Sequence, residues 1–280
     1  MADAPSLSPL AALARRHDPD RFLCALFAPA ERREALFTLI AYNHELARAR
    51  EAARTPLVAL MRLQWWREAV EQAAAGKPPR RHEVAAPLHA AIAAGALDPA
   101  DLMAIADARE AEAEEGGIPT GAAFQAYLRG SAGGVAVAAG RLLGAPPATL
   151  PALQQAGAAY GLAGVLRSVP ALAAQGRCLL PEDALTAAGL TAEAVLAAPD
   201  SVAVGRVARA LAQAGLESLP TTAGALRALP PGAVAAALPL VLARRDLRRI
   251  AGTGRLRPQT AGRGALDRMA VALAGLRRRI

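Results

Sequence analysis

Cysteine is nearly absent from this chain, with only Cys24 and Cys178 in 280 residues. Two isolated cysteines rule against a disulfide framework and fit a reducing compartment. Lysine is scarcer still, since Lys77 stands alone and arginine carries almost all the positive charge. Aromatic residues make up 3%. No nucleic-acid module or aromatic platform accompanies the arginines, so nucleic acid is the least suited partner. Long apolar runs are also missing. The most apolar late stretch, Gly232 to Ala243, contains Pro239 and falls well short of the roughly 20 residues that cross a bilayer. Met1 to Arg16 has no basic segment followed by an apolar core, so no secretory signal is expected. No period-two alternation bounded by turn residues occurs, which argues against a sheet, and no repeat of 20 to 50 residues stands out.

Alanine and leucine fill the space left by these absences, and the chain is 54% hydrophobic. Both are strong helix formers, so an all-α fold is predicted. Asp18-Pro19-Asp20 opens a helix with a capping acid and an early proline. Further helices are predicted from Glu31, from Pro56, over Pro87 to Ala94, and over Pro99 to Glu115, where Gly116-Gly117 stops the run. Phe124 to Leu143 reads as one long small-residue helix whose backbone can pack closely, followed by Pro151 to Leu172. Short helices lead to a last pair, Ala233 to Ala251 and Gly264 to Arg279. Residues 1–17 are expected to be a flexible N-terminus and 18–280 one helical domain. The net charge is +8, and Val241 to Ile280 alone holds eleven arginines against Asp246 and Asp267. Such a tail suits an anionic neighbour, a membrane surface or an acidic protein, although a solvated helix face accounts for it equally well.

Two segments carry a family resemblance. One runs from Arg32-Arg33-Glu34 through Tyr42-Asn43-His44-Glu45-Leu46-Ala47-Arg48-Ala49-Arg50-Glu51. The other runs from Tyr160 through Leu166-Arg167-Ser168-Val169-Pro170-Ala171-Leu172 to Gly176-Arg177-Cys178-Leu179-Leu180-Pro181. Together they resemble the two signature regions of the squalene/phytoene synthase family, and the likeness extends from about Asp20 to Ile280. It implies an all-α, single-domain bundle around a central cavity. In such proteins acids four residues apart on two facing helices hold magnesium, which neutralises a departing diphosphate.

Residue by residue, the resemblance puts the first motif's acids at Ala47, Arg48 and Glu51, of which only Glu51 keeps a carboxylate. The second motif's acids fall at Ser168 and Leu172, and both are gone. Pro170 inside that segment is expected to kink or end its helix. Loss of the family's magnesium-dependent reaction is the expectation, with no metal or other cofactor. Arg167 and Arg177 survive and are suited either to an anion or to salt bridges within the bundle. Asn43, Glu45, Arg62, Gln64 and Trp66 resemble hallmark positions of a non-catalytic branch of the family that acts in respiratory complex I assembly.

Other polar groups have plainer readings. Asp107, Glu110 and Glu114 share a helix face and read as a solvated acidic end. The four histidines show no metal-ligand spacing. Trp65 and Trp66, about 100° apart on a helix, divide between core and rim. Three functions remain open: a non-catalytic binding protein in complex I assembly, an active head-to-head prenyl transferase with Glu45 and Glu51 holding one magnesium, and a binder of isoprenoid, quinone or other lipid without chemistry. The expected location is the cytoplasm, with peripheral attachment to the cytoplasmic face of the inner membrane.

Overall fold

The computed structural model describes residues 7–53, 55–114, 116–256 and 262–280. The expectations for residues 1–6, Glu115 and Arg257 lie outside the described residues. Within them the chain is all-α, and no strand occurs. The helices are α1 (Pro9–His17), α2 (Pro19–Ala25), α3 (Ala30–Glu51), α4 (Pro56–Ala74), α5 (Ala85–Ala93), α6 (Pro99–Ala108), α7 (Gly121–Gly130) and α8 (Ala132–Leu142). They continue with α9 (Leu150–Ala173), α10 (Glu182–Ala187), α11 (Ala192–Ala197), α12 (Val202–Glu217), α13 (Leu219–Ala225), α14 (Val234–Ala237), α15 (Pro239–Thr253) and α16 (Ala265–Arg277).

Local chemistry sets many of the starts. The Asp18 carboxylate accepts the Arg21 N–H at 2.9 Å while Pro19 occupies the first turn of α2. Thr55 and Pro56 do the same for α4, where a side-chain acceptor meets an otherwise orphaned donor. α9 is the central element and packs against α7, α8, α12, α13 and α15. Its union with α8 is close because Gly133 and Gly157 leave no side chain between the backbones. One continuous core joins nearly all the helices, as a chain this rich in alanine and leucine requires.

Four expectations need correction. Residues 9–17 are not a flexible tail: Ser8 caps α1, and Leu10, Ala11 and Ala14 are buried. The long helix over Phe124 to Leu143 is two helices, broken at Ser131, whose ψ is −86°. Its hydroxyl donates to the Tyr127 carbonyl at 2.6 Å. Gly130 and Ser131 are weak helix formers, and Gly130 sits where a Cβ would strike that of Ala108 at 2.5 Å. The helix from Pro99 stops at Ala108 and tightens into a 3-10 turn over Arg109–Glu112. Pro170 does not end its helix, since α9 runs on to Ala173. Proline there removes only the hydrogen bond to the Leu166 carbonyl, one turn from the end.

Candidate functional site

α3 and α9 face each other across a polar cavity of about 350 Å³. Ala47 and Glu51 line it from α3, and Ser168 and Leu172 line it from α9. The spacing in the sequence therefore brought four of the five degenerate motif positions to one place. Arg48 is not among the lining residues. Its side chain is half exposed and pairs with Glu45 at 3.3 Å. Arg167 and Arg177 both line the cavity.

The residues present do not fit the family's magnesium. Ala47 and Leu172 have no side-chain oxygen, and the Ser168 hydroxyl donates to the Gly164 carbonyl at 2.8 Å. Glu45 does not line the cavity and is paired with Arg48. Among the described residues no three of His, Cys, Asp and Glu stand together as a metal-binding group. The cavity's other carboxylates are held by arginines. Hard divalent cations need free oxygen ligands, and an arginine already seated on a carboxylate competes for the same lone pairs.

Two ion-pair clusters hold these acids. On one wall Glu112, 7% exposed, is gripped by Arg109 and accepts the Tyr127 hydroxyl at 2.7 Å. Arg109 also donates to the Asn43 side-chain oxygen at 2.8 Å. Burial lowers the Arg109 pKa, but Glu112, Tyr127 and Glu51 together hold the guanidinium above its usual value. Arg177 differs. It donates to the Glu112 backbone carbonyl at 3.5 Å, the nearest Glu112 carboxylate oxygen is 3.9 Å away, and burial pushes its pKa down. On the other wall the Arg263 guanidinium forks over Asp20 at 2.8 and 2.9 Å and reaches Asp246 at 2.6 Å. Arg167 reaches Asp246 at 3.3 Å. Arg249 contacts Asp246 at 3.0 Å, and Arg245 contacts Asp267 at 2.6 Å. Burial favours the protonated form of Asp267, but Arg245, Arg249 and Arg263 together keep the carboxyl below its ordinary range.

Glu112, Asp20, Asp246 and Arg263 were not singled out by sequence reasoning. Only Asp18 carried a local signal, as a cap. Asp20 and Arg263 are 243 positions apart, so spacing could not join them.

The hallmark positions do not converge on one site. Asn43 is buried beside Arg109, whereas Arg62 and Gln64 are exposed on the outer face of α4. Trp66 is 4% exposed and packs edge-on to Tyr42 at 5.5 Å. Trp65 lies partly buried under the Arg80 guanidinium, as the core-and-rim division requires. Asp107 and Glu110, expected as a solvated end, clasp Arg67 at 2.6 and 2.5 Å. The apolar part of the interior is nearly closed. A pocket lined by Leu36, Ile40, Val135 and Leu240 has about 40 Å³ of space, far below the roughly 300 Å³ of a small ligand site.

Comparisons with known proteins agree with this geometry. The squalene/phytoene synthase family profile matches residues 14–268. NADH dehydrogenase (ubiquinone) complex I, assembly factor 6 of Homo sapiens is 29% identical over 182 residues, 65% of this chain and 54% of that protein. Its counterparts in Mus musculus and Bos taurus match to the same extent. The chain thus spans about half the length of these relatives. A solved dehydrosqualene synthase in complex with ligand superposes with a TM-score of 0.80 at 14% identity, over 96% of this chain and 94% of that one. Squalene synthase HpnC from Alicyclobacillus acidocaldarius gives 0.72 at 20% identity, over 89% and 94%. Likeness at such low identity speaks for the fold alone. With the family profile spanning most of its length and two signature helices meeting across one cavity, the chain belongs to the squalene/phytoene synthase family.

Proposed function

We propose that this protein works by binding, without the prenyl transfer of its family, and that it serves in the assembly of a respiratory complex as its assembly-factor relatives do. The observation that carries the first half is the cavity. Its motif positions hold Ala47, Ser168 and Leu172, and arginines hold Asp18, Asp20 and Glu112. A diphosphate can leave only if its growing charge is neutralised, and the metals that do this have too few oxygens to bind. The second half is supported by the similarity to complex I assembly factor 6. In this reading the basic C-terminal helices hold the protein peripherally on the cytoplasmic face of the inner membrane. No helix among the described residues is long and apolar enough to cross a membrane. The small apolar pocket weighs against a lipid bound inside the bundle.

The test is direct. Purified protein incubated with farnesyl or geranylgeranyl diphosphate and magnesium should release no pyrophosphate above a protein-free control. Clear release would overturn the non-catalytic reading. Deleting the gene should lower the amount of assembled NADH dehydrogenase, and unchanged assembly would overturn the other half.

A further inference from the structure

The last helix presents an unusual face. α16 is held to the body by Asp267, Val271 and Gly275, all buried. Gly275 lies against the Phe27 ring so closely that a Cβ would come within 2.4 Å of it. The opposite side carries Leu266, Met269, Leu273 and Leu276, which are 71%, 64%, 49% and 76% exposed. At 100° per residue these four fall within an arc of about 80° and run for roughly 15 Å along the axis. Single exposed apolar side chains are ordinary, but an aligned stripe marks a contact surface.

The charge beside the stripe has one sign. Arg268, Arg277, Arg278 and Arg279 are exposed on or just after α16, and Arg248 is exposed on neighbouring α15. Among the described residues Arg277, Arg278 and Arg279 form no ion pair, and the helix's one acid, Asp267, is turned inward onto Arg245. A second copy is a poor occupant, because pairing two such faces would set arginines against arginines with no acid between them. Protein hot spots favour Trp, Tyr and Arg, with Leu under-represented, and the stripe itself has only Leu and Met. A surface both apolar and anionic, with no fixed shape to match, is an anionic bilayer. At 13 residues α16 extends about 20 Å, too short to span a bilayer and suited to lying in its interface.

The geometry points to α16 as a membrane-docking helix, its leucine–methionine stripe entering the interface of an anionic bilayer while the arginines engage the headgroups. This deepens the docking part of the function proposed above and does not depend on the loss of catalysis. The experiment is sedimentation of the full chain with protein-free vesicles of phosphatidylcholine, with and without phosphatidylglycerol. The protein should sediment with the anionic vesicles, less so at high salt, and not with the neutral ones. Met269→Glu combined with Leu276→Glu should weaken binding about tenfold or more, with circular dichroism and melting unchanged because both side chains are mostly exposed. Arg277→Gln, Arg278→Gln and Arg279→Gln together should weaken binding and flatten its salt dependence.

Equal recovery with and without anionic vesicles would overturn the proposal, as would a double glutamate variant that binds like the wild type. A dimer in solution that the double variant dissociates would assign the face to a second copy. Capture by protein-containing membranes but not by protein-free vesicles would assign it to an acidic protein. The vesicle assay contains no prenyl diphosphate and the turnover assay no lipid surface, so failure of either reading is seen separately.

Discussion

His44 shows how one side chain can make stability depend on acidity. Its ring stacks on His17 with centroids 4.1 Å apart, and its Nε2 has no hydrogen-bond partner among the described residues. Burial pushes its pKa down to about 4, with His17 and Arg48 adding to the effect. Unfolded, the ring binds a proton near pH 6.5. Between the two values the unfolded chain holds more protons, so acid favours unfolding. Stability should fall by about 1–2 kcal/mol as pH drops from 6.5 to 4, after allowing for the ring's partial exposure. His44→Gln should remove that slope in urea titrations across the range. An unchanged slope in the variant would mean that other groups set it. At this scale the legible positions were those whose partners lie at fixed spacing on one helix, such as Ser168 and Leu172. Arg263 stayed hidden because its partner Asp20 lies 243 positions away, and Glu112 because its nearby partners Arg109 and Tyr127 belong to neither motif.

Among the elements, α8 and α9 approach each other closely enough to exclude a side chain between them. A Cβ on Gly157 would meet the Ala132 carbonyl oxygen at 2.5 Å and the Gly133 Cα at 2.8 Å. Both are backbone atoms and cannot swing aside. Gly157→Ala should destabilise by about 1–3 kcal/mol, read from the urea midpoint. Gly252 in α15 has nothing within 4 Å of its would-be Cβ and an ordinary φ. Gly252→Ala should be neutral or stabilise by up to about 1 kcal/mol. If both changes behaved alike, helix propensity rather than close approach would be the governing term. The richness in small residues was legible and foretold this contact. The break at Ser131 was not, because Gly130 and Ser131 sit in a run of small residues that composition alone reads as helix. Pro170 misled for the opposite reason: a residue that disrupts a helix's middle is harmless in its last turn.

Across the whole molecule, the wall built on Asp246 joins parts of the chain that are distant in sequence. Asp246 is 1% exposed and contacts Arg167, Arg249 and Arg263. Asp246→Asn keeps the shape but leaves three guanidinium groups without their shared charge. The expected loss is about 3–5 kcal/mol in urea denaturation. A loss below about 1 kcal/mol would place this cluster with ordinary surface pairs. The family fold was legible because two motifs keep the family's spacing. The arginine–carboxylate clusters beside the cavity were not, since they draw on α2, α15 and the segment before α16.

Arg263 precedes α16 by two residues, yet its guanidinium forms part of the cavity wall and fastens on Asp20. The segment leading into the final helix and the cavity therefore meet at one ion pair. If seating that helix alters the cavity's affinity for a ligand, the ligand must alter the seating by the same factor.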